Sequence, residues 1–423
     1  MRVLQQREHG NAYVEDLLEA RLPALAPADR RLCQELVFGV VRWQRTLDWL
    51  IARKTEGRDQ KPALRTLLRL GLYQMFWLDR VPDHAAVNET VALARELGYG
   101  PQAGFVNALL RGCAREREPI QGELEALKTS APARGYSHPD WLCERWQARW
   151  GADALRRLLD WNNQPPRTFA RVNTLRVEPG ALLEQWRQEN VAYDFFQRDW
   201  TGENLVFELK SHPPLTHLPS FNRGGFYIQD PSTLLAVHLL DPQTDDRLLD
   251  LCAAPGGKTT YLAQRLNNQA LIVACDSSAP RLQRLQENCA RLGVTCVEVV
   301  VTDALPQSVV GPLSYDRVLV DAPCSNTGVL RRRIELRWRI RPEELQRLQA
   351  LQLRLLQTAA TRLKSGGTLV YSTCSLEPEE NLDVVQQFLA QHPGLRLEGE
   401  RELLPFRDGV DGAYVAKLLK ATV

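Results

Sequence analysis

Strand-like and helix-like segments alternate from about residue 231 to the end of the chain. Short runs rich in Val, Leu and Ile lie between longer runs in which apolar residues recur every three or four positions. This alternation predicts a doubly wound, largely parallel sheet with helices on its faces. Ligands bind such sheets at the carboxyl ends of the strands, so residues that follow the strands are the first candidates for a site. The predicted strands are RLLDLC, ALIVACD, CVEVVV, RVLVDA, TLVYST and the terminal AYVAKLLK.

The remainder of the chain is predicted to form two further domains. Residues up to about 130 carry apolar side chains at helical spacing without a strand-like run, which predicts a helical bundle. Strand-like TFARVNTLR and NLVFELK then flank the helix-like ALLEQWRQENV, which predicts a small α+β domain. We therefore expect three domains, at 1–130, 131–230 and 231–423, because 423 residues exceed one typical domain.

Composition and motif spacing exclude several classes of protein. No apolar run approaches the length of a membrane span, and the polar N-terminus MRVLQQREHG does not resemble a signal peptide, so we expect a cytoplasmic protein. The nine cysteines form no CxxC pair, and the seven histidines form no HxH or HxxxH cluster. Neither a disulfide framework nor a metal site is therefore expected.

The basic residues are mostly arginine. The net charge is only +2, but 45 of the 53 basic residues are arginine and eight are lysine. Arginine binds phosphates and stacks on bases, which suits RNA, although a GC-rich genome would give the same bias. The segment Arg331–Arg341 holds six arginines, one glutamate and a tryptophan. We predict that it contacts the RNA backbone, with a solvated helix face as the alternative. The predicted contacts are Arg331, Arg332, Arg333 and Trp338.

A glycine-rich turn follows the first strand of the α/β region. The sequence CAAPGGKTT (Cys252–Thr260) lacks the spacing of an ATP-binding P-loop. Gly256 and Gly257 let the backbone approach a ligand, and the next helix offers free N–H groups. Asp276 ends the second strand, at about the spacing where a carboxylate binds ribose hydroxyls, and Asp303 ends the third, where adenine would lie. The pattern favours an adenosine-containing ligand and leaves both NAD and S-adenosylmethionine open.

Two cysteines follow two further strands. Cys324 lies in DAPCS after RVLV, and Cys374 lies in STCS after TLVY, so both thiols can face one pocket. A single buried cysteine is usually a small core residue, but two in matched positions beside the turn indicate chemistry. Methylation of a pyrimidine at carbon 5 needs a thiolate that adds at carbon 6. Hydride transfer has no obvious need of either thiol, so S-adenosylmethionine is favoured and a nicotinamide oxidoreductase is the rival.

The motifs together resemble one family. CAAPGGKT, DAPCSNTG, YSTCS and the following EPEEN closely resemble the motifs of bacterial RNA 5-methylcytosine methyltransferases of the NOL1/NOP2/Sun type. VPDHAAVNETV, FVNALLR and ELVFGVVRW resemble the NusB-like domain of those members, the RsmB kind, that act on 16S ribosomal RNA. The resemblance covers nearly the whole chain. One departure is Arg333–Ile334–Glu335, which stands where the family usually shows His-Pro-Asp.

The resemblance implies a fold and an activity. It implies an all-α NusB-like RNA-binding domain, a small α+β middle domain and a Rossmann-like class I methyltransferase domain. The implied activity is methyl transfer from S-adenosylmethionine to carbon 5 of a cytosine in 16S ribosomal RNA, through a covalent cysteine–cytosine intermediate. A tRNA cytosine-5 methyltransferase and a non-catalytic NusB-like RNA-binding factor are the alternatives. We expect a monomer that needs neither a metal nor a membrane.

The resemblance also implies roles for single residues. Cys374 matches the family's nucleophile, and Cys324 matches the cysteine that helps to release the product. Asp321 is expected to orient the base or to shuttle a proton. The residues that match the family's cofactor contacts are Cys252, Ala253, Ala254, Pro255, Gly256, Gly257, Lys258, Asp276, Asp303 and Asp321.

Overall fold

The protein divides into two compact units. A computed structural model describes residues 1–10, 12–302 and 314–422. The first unit comprises Met1–Gln164 together with Leu330–Arg339, and the second comprises Pro165–Val329 together with Ile340–Val423. The first unit is therefore discontinuous in sequence. The domain boundaries expected at 130 and 230 stay predictions.

Within its described residues the first unit contains helices and no strand, as the apolar spacing predicted. Its core contains Leu67, Leu68 and Leu72 of the helix Pro62–Trp77, none of which is exposed to solvent. The longest helix is kinked at Gly151, where φ is +81°. No helix in the described part of the chain combines the length and the apolarity needed to cross a bilayer. The helices are Arg2–His9, Val14–Glu19, Pro27–Arg42, Gln44–Lys54, Pro62–Trp77, Asp83–Glu96, Ala103–Arg115, Arg117–Ser130, Pro132–Gly135, Asp140–Asn163 and Leu336–Arg339.

The second unit begins with a small antiparallel sheet. Its strands pair in the order β2-β3-β1-β4, and the helix Pro179–Gln188 contributes Trp186 to the aromatic core beside Phe207 and Phe226. Strands β1 and β3 and this helix are where the sequence predicted them, whereas β2 and β4 were not expected. The strands are β1 (Thr168–Val172), β2 (Ala192–Phe196), β3 (Val206–Ser211) and β4 (Phe226–Ile228).

A seven-stranded sheet forms the remainder of the second unit. The strand order is β10-β11-β9-β8-β5-β6-β7, in which β5 to β9 pair in parallel and β11 pairs antiparallel with β9 and β10. This confirms the predicted doubly wound, largely parallel sheet. The strands are β5 (Arg247–Asp250), β6 (Leu271–Asp276), β7 (Val297–Val301), β8 (Tyr315–Asp321), β9 (Leu363–Thr373), β10 (Leu395–Leu403) and β11 (Ala413–Lys420). The helices of this unit after β4 are Leu234–Leu240, Gly257–Arg265, Ala279–Leu292, Pro342–Arg362, Leu382–Gln391 and Pro405–Asp408.

The strand order creates a switch point beside β5. The chain proceeds from β5 to β6 and β7 on one side, and then returns to β8 and β9 on the other. Leu249, Val318 and Leu369 from three neighbouring strands are fully buried, because a parallel sheet is covered on both faces. The segments after β5, β6, β8 and β9 therefore meet at one edge, where such folds bind their ligands.

Candidate functional site

The glycine-rich turn lies at the carboxyl end of β5 and leads into the helix Gly257–Arg265. Gly256 N donates a hydrogen bond to Ala253 O at 2.8 Å, which closes the turn. Gly256 adopts φ of +104°, and a Cβ atom there would lie 3.0 Å from Leu285 Cγ. Both the backbone and the packing therefore require glycine at this position. The turn opens a helix, as the sequence predicted.

Asp276 connects the end of β6 to this turn. Its buried carboxylate accepts a hydrogen bond from Ala254 N at 3.2 Å and another from Ser278 N at 3.0 Å. The structure thus brings together the turn and the carboxylate that were predicted to bind one ligand. Asp303, the third predicted contact, lies outside the described residues.

Asp250, the last residue of β5, is a carboxyl group that the sequence analysis missed. It is completely buried, and Thr259 Oγ1 donates a hydrogen bond to its Oδ2 at 2.8 Å. Burial raises the pKa of Asp250 to about 7. The signal available in the sequence was an acidic residue at the end of the apolar strand RLLD, directly before the turn.

Lys258 and Asp321 form an ion pair between the turn and β8. Lys258 Nζ lies 2.6 Å from Asp321 Oδ2, and Ser372 Oγ of β9 donates to Asp321 Oδ1 at 2.8 Å. Burial by itself would lower the pKa of Lys258, but the Asp321 carboxylate outweighs it and holds that pKa above its ordinary value. Lys258 is therefore a cation, and both oxygens of Asp321 are held in place.

The two thiols meet at the ends of the neighbouring strands β8 and β9. Cys324 Sγ lies 3.2 Å from Cys374 Sγ, and Cys374 Sγ lies 3.1 Å from Asn326 Oδ1. Cys324 is buried, whereas Cys374 is partly exposed. The hydrogen bond with Cys374 and, after it, burial raise the pKa of Cys324. The structure thus brings together the two cysteines that the sequence predicted to face one pocket.

Gly328 fixes the segment that follows Cys324 against the turn of Cys374. Gly328 N donates to Cys374 O at 3.0 Å, and Gly412 N donates to Gly328 O at 2.9 Å. A Cβ atom at position 328 would lie 2.6 Å from Gly412 O and 2.8 Å from Cys374 O. Only glycine permits this approach, so the backbone itself helps to set the position of Cys374.

Glu380 is a second buried acid that the sequence analysis did not single out. Its carboxylate accepts hydrogen bonds from Ser325 N at 2.8 Å, from Ser375 Oγ at 2.5 Å and from Gln352 Nε2 at 3.1 Å. Burial raises the pKa of Glu380. Its position in EPEEN, which contributed only to the family resemblance, was the available signal. Glu380 thus contacts the immediate neighbours of both cysteines.

The residues predicted to contact RNA lie on Leu330–Arg339, which belongs to the first unit. Arg331 is 1% exposed, and its guanidinium lies 3.9 Å from the ring centroid of Trp161. Trp338 Nε1 donates a hydrogen bond to Val41 O at 2.7 Å. The expectation of an exposed strip is therefore corrected for these two side chains, because each packs within the helical unit.

Arg332 is partly exposed and Arg333 is exposed on the same segment. A contact of this segment with RNA stays a prediction, and Arg333 is the side chain best placed to make one. The sequence predicted one uniform strip of arginines. In the structure Arg331 is buried, whereas Arg332 and Arg333 reach the solvent, so these side chains do not share one environment.

Glu335 anchors the same segment in the first unit. It stands in the Arg333–Ile334–Glu335 departure from the family pattern, and its side chain is almost fully buried. The carboxylate accepts hydrogen bonds from Arg7 Nε at 2.9 Å, Val14 N at 2.8 Å and Arg339 Nη2 at 2.8 Å. A paired and hydrogen-bonded carboxylate is the form in which a buried charge is tolerated. The departure therefore supplies a buried ionic contact.

No cluster of three histidine, cysteine or acidic side chains within residues 1–10, 12–302 and 314–422 could hold a metal ion. The described groups at the sheet edge instead include the Cys324 and Cys374 thiols and the Lys258 ammonium group. They also include the carboxyl groups of Asp250, Asp276, Asp321 and Glu380. Such a set suits an adenosine-bearing ligand beside a nucleophile.

Comparison with known proteins identifies three matching families. A family described as 16S rRNA methyltransferase RsmB/F matches residues 237–419. The NusB family matches residues 1–115, and a ferredoxin-like domain of RsmF/B-like methyltransferases matches residues 138–199. The NusB match lies in the helical unit, the ferredoxin-like match includes β1 and β2 of the small sheet, and the RsmB/F match includes the strands of the large sheet.

Full-length relatives are also found. The "Probable ribosomal RNA small subunit methyltransferase B" of Synechocystis sp. is 36% identical, and the alignment covers 99% of this chain and 98% of the relative. The "Ribosomal RNA small subunit methyltransferase B" of Serratia proteamaculans is 36% identical over 95% of this chain and 94% of the relative.

Two solved structures share the fold. The crystal structure of PH0851 superimposes with a TM-score of 0.79 at 26% identity, and it covers 96% of this chain and 94% of that chain. A methyltransferase homolog protein from Pyrococcus horikoshii gives a TM-score of 0.59 at 30% identity, over 67% of this chain and 96% of that chain. The NusB-like helical domain, the small α+β middle domain and the Rossmann-like methyltransferase domain expected from the sequence are thereby confirmed, and the match identifies the middle domain as ferredoxin-like.

Proposed function

Since this chain belongs to the family of ribosomal RNA small subunit methyltransferases, we propose that it methylates carbon 5 of a cytosine in 16S ribosomal RNA. The observation that carries the proposal is the 3.2 Å separation of the Cys324 and Cys374 thiols beside the glycine-rich turn. Methyl transfer to a nitrogen or an oxygen atom needs no thiol. Transfer to carbon 5 of a pyrimidine needs one to activate the ring.

Cys374 is the proposed nucleophile. Its thiolate adds to carbon 6 of the cytosine, and carbon 5 then becomes electron-rich enough to accept a methyl group. The thiolate is the reactive form of cysteine, and the raised pKa of Cys324 keeps that thiol protonated. Cys374 is also the more exposed of the two, which agrees with the role that the family resemblance implies.

Cys324 is proposed to act in the release step. After methyl transfer a base removes the carbon 5 proton, the electron pair restores the double bond between carbons 5 and 6, and the carbon–sulfur bond breaks. Cys374 thereby leaves as a thiolate. The Cys324 thiol lies 3.2 Å from this sulfur and can donate a hydrogen bond to it as the charge returns. Asp321, held by Lys258, is proposed to orient the cytosine base or to carry the proton that leaves carbon 5.

The methyl donor is proposed to be S-adenosylmethionine, which supplies an electrophilic methyl group on its sulfonium. The buried Asp276 carboxylate accepts two backbone N–H groups and retains lone pairs for ribose hydroxyls. The turn from Cys252 to Lys258 is proposed to bring its backbone close to this ligand, as the glycine-rich turns of such folds do. The positive φ of Gly256 and its packing against Leu285 fix the shape of the turn. Asp303 remains a proposed contact on the family resemblance.

Methylation of defined RNA tests this function. Purified protein is incubated with a 16S ribosomal RNA transcript, a tRNA pool and labelled S-adenosylmethionine, and 5-methylcytosine is measured by mass spectrometry of nucleosides. We expect 5-methylcytosine in the 16S transcript, none with Cys374→Ser, and a stalled covalent protein–RNA complex with Cys324→Ser. Methylation of tRNA alone, or of nitrogen or oxygen atoms, contradicts the proposal. Binding of RNA without any methyl transfer would favour the non-catalytic alternative.

A further inference from the structure

We propose that the consecutive residues Glu380 and Asn381 position the two thiols separately, with Glu380 holding the loop of Cys324 and Asn381 holding the turn of Cys374. This inference deepens the proposed function and rests on it for the roles of the thiols. Neither residue touches a cysteine side chain directly among the described contacts, so both are positioning residues.

Glu380 secures the Cys324 loop on both sides of the cysteine. Ser325 donates to the Glu380 carboxylate with its backbone N–H, at 2.8 Å, and also with its hydroxyl group. Gln352 Nε2 bridges Glu380 Oε1, at 3.1 Å, and Pro323 O, at 2.9 Å. The residues before and after Cys324 are therefore both connected to this carboxylate.

Asn381 secures the Cys374 turn in the same way. Thr373 Oγ1 donates to Asn381 Oδ1 at 2.6 Å, and Asn381 Nδ2 donates to Ser375 O at 2.9 Å. The residues before and after Cys374 are thus both bonded to one amide. Asn381 is 2% exposed, so these bonds are sheltered from water.

The contacts of Glu380 and those of Asn381 are linked to each other, but they do not hold the two thiols equally. Ser375 Oγ donates to Glu380 at 2.5 Å and lies 3.0 Å from Ser325 Oγ, which links the two loops. Glu380 nevertheless accepts two hydrogen bonds from the Cys324 side and one from the Cys374 side. The Asn381 side chain bonds only to the Cys374 side among the described contacts. Removal of either side chain should therefore displace one thiol more than the other.

The expected chemical consequences are opposite. Glu380→Gln replaces one acceptor oxygen by an amino group. The two Ser325 donors bond to different oxygens, so one of them loses its acceptor and the Cys324 loop loosens. Attack by Cys374 should continue while release slows, and the covalent complex should accumulate. Asn381→Ala frees the Cys374 turn, so attack itself should slow and little complex should form.

The experiment measures the covalent complex and the rate of methylation together. Protein, 16S transcript and S-adenosylmethionine are mixed, and the complex is quantified on denaturing gels over time. We expect Glu380→Gln to raise the complex and Asn381→Ala to lower it, each by about threefold or more, with kcat reduced and KM for RNA little changed. The matched controls Asp383→Asn and Gln387→Ala lie exposed on the next helix and should behave as wild type.

A second readout does not depend on the proposed function. Iodoacetamide labelling without RNA, followed by peptide mass spectrometry, reports the accessibility of each thiol. Glu380→Gln should speed labelling of Cys324 more than that of Cys374, and Asn381→Ala should do the reverse. If Glu380→Gln or Asn381→Ala folds poorly, Ser325→Ala and Thr373→Val serve as milder variants, because each removes a single hydrogen-bond donor. Ser325→Ala should speed labelling of Cys324 more than that of Cys374, and Thr373→Val should do the reverse.

The outcomes separate the two ideas. Parallel changes of both thiols in both variants would indicate general loss of packing and overturn the positioning proposal, as would labelling rates equal to wild type. If split labelling is found but no 5-methylcytosine forms with wild type, the proposed function fails while the positioning proposal stands. If Cys324 is the nucleophile and Cys374 acts in release, Glu380→Gln should still resemble Cys324→Ser, and Asn381→Ala should still resemble Cys374→Ser.

Discussion

The Sγ atoms of Cys324 and Cys374 lie 3.2 Å apart at the ends of two neighbouring parallel strands. The two residues are 50 positions apart in sequence, so their approach is a product of the sheet and not of a local motif. In the proposed mechanism this separation lets the Cys324 thiol assist the departure of the Cys374 sulfur. It also makes the pair vulnerable to oxidation.

Peroxide is predicted to join this pair. A disulfide bond is about 2.05 Å long, so a small movement of the two sulfurs suffices. Each thiol loses one proton and one electron, and the hydrogen peroxide becomes two water molecules. We expect loss of methylation that dithiothreitol reverses, with a Cys324–Cys374 cross-linked peptide in the mass spectrum. Cys324→Ser should give no such peptide, and a cross-link to any other cysteine would contradict the prediction.

Asp276→Ala is predicted to weaken the binding of S-adenosylmethionine by about 1.5–3 kcal/mol, which is the range for hydrogen bonds to a charged group. Two backbone donors would also lose their acceptor, so Asp276→Asn serves as a milder variant. Calorimetric titration measures the affinity. The exposed Asp245→Ala provides the control with the same change of charge. Unchanged affinity in Asp276→Ala would remove this residue from the cofactor site.

Asp250→Asn is predicted to change how stability depends on pH. The pKa of Asp250 is about 7 in the folded protein and about 3.9 in an unfolded chain, so folding favours the protonated form between those values. The wild type should therefore lose stability relative to Asp250→Asn as the pH rises from about 4 to about 7, by at most about 4 kcal/mol. Urea unfolding without cofactor at several pH values checks this. Parallel curves would show that the carboxyl group is ionised throughout.

Glu335→Gln is predicted to destabilise the first unit by about 3 kcal/mol, because the mostly buried Arg7 guanidinium loses the buried carboxylate that pairs with it. Hydrogen exchange of peptides from the helix Arg2–His9 reports the change in this unit. Glu125→Gln, which breaks an exposed pair with Lys128, should shift stability by less than about 1 kcal/mol. Equal hydrogen-exchange protection of these peptides in Glu335→Gln and Glu125→Gln would contradict a large contribution of the Arg7–Glu335 pair to stability.

Arg333→Ala is predicted to weaken RNA binding. The slope of log affinity against log salt concentration should become shallower by the amount expected for about one phosphate contact. Arg333 is chosen because its side chain is exposed, whereas Arg331 is buried against Trp161. Affinity for a 16S transcript is measured at several salt concentrations. Arg31→Ala, exposed on another helix of the first unit, is the control. A slope that matches the control would move the RNA path away from this segment.

The sequence predicted the sheet and the motif residues because both leave local patterns. Strands β5, β6, β8 and β9 are buried apolar runs, so they were recognisable. Strand β10 was missed because most of its residues are exposed and polar. Strand β2 was missed because it is only five residues long and shows no regular alternation of buried and exposed positions. Their extended conformation depends on pairing with the next strand along the chain, β3 or β11, and not on their own residues alone.

The missed parts of the site have the same explanation. Glu380 acts through contacts with Ser325, 55 residues away, and its own surroundings in EPEEN suggest only a polar turn. The opposite error arose at Arg331, where composition indicated a solvated cation. Stacking on Trp161, from a distant helix, removes it from water instead. Local charge tells which groups need partners, but not which partners the fold supplies.

The discontinuity of the first unit has a consequence for synthesis on the ribosome. Leu330–Arg339 completes a unit whose other residues end at Gln164. Strands β1 to β8 are therefore synthesised after most of the first unit and before its last segment. Folding from the N-terminus cannot finish this unit early, unlike that of a continuous domain. Until Glu335 leaves the exit tunnel, Arg7 lacks its ion-pair partner, so much of the second unit is made before the first can be completed.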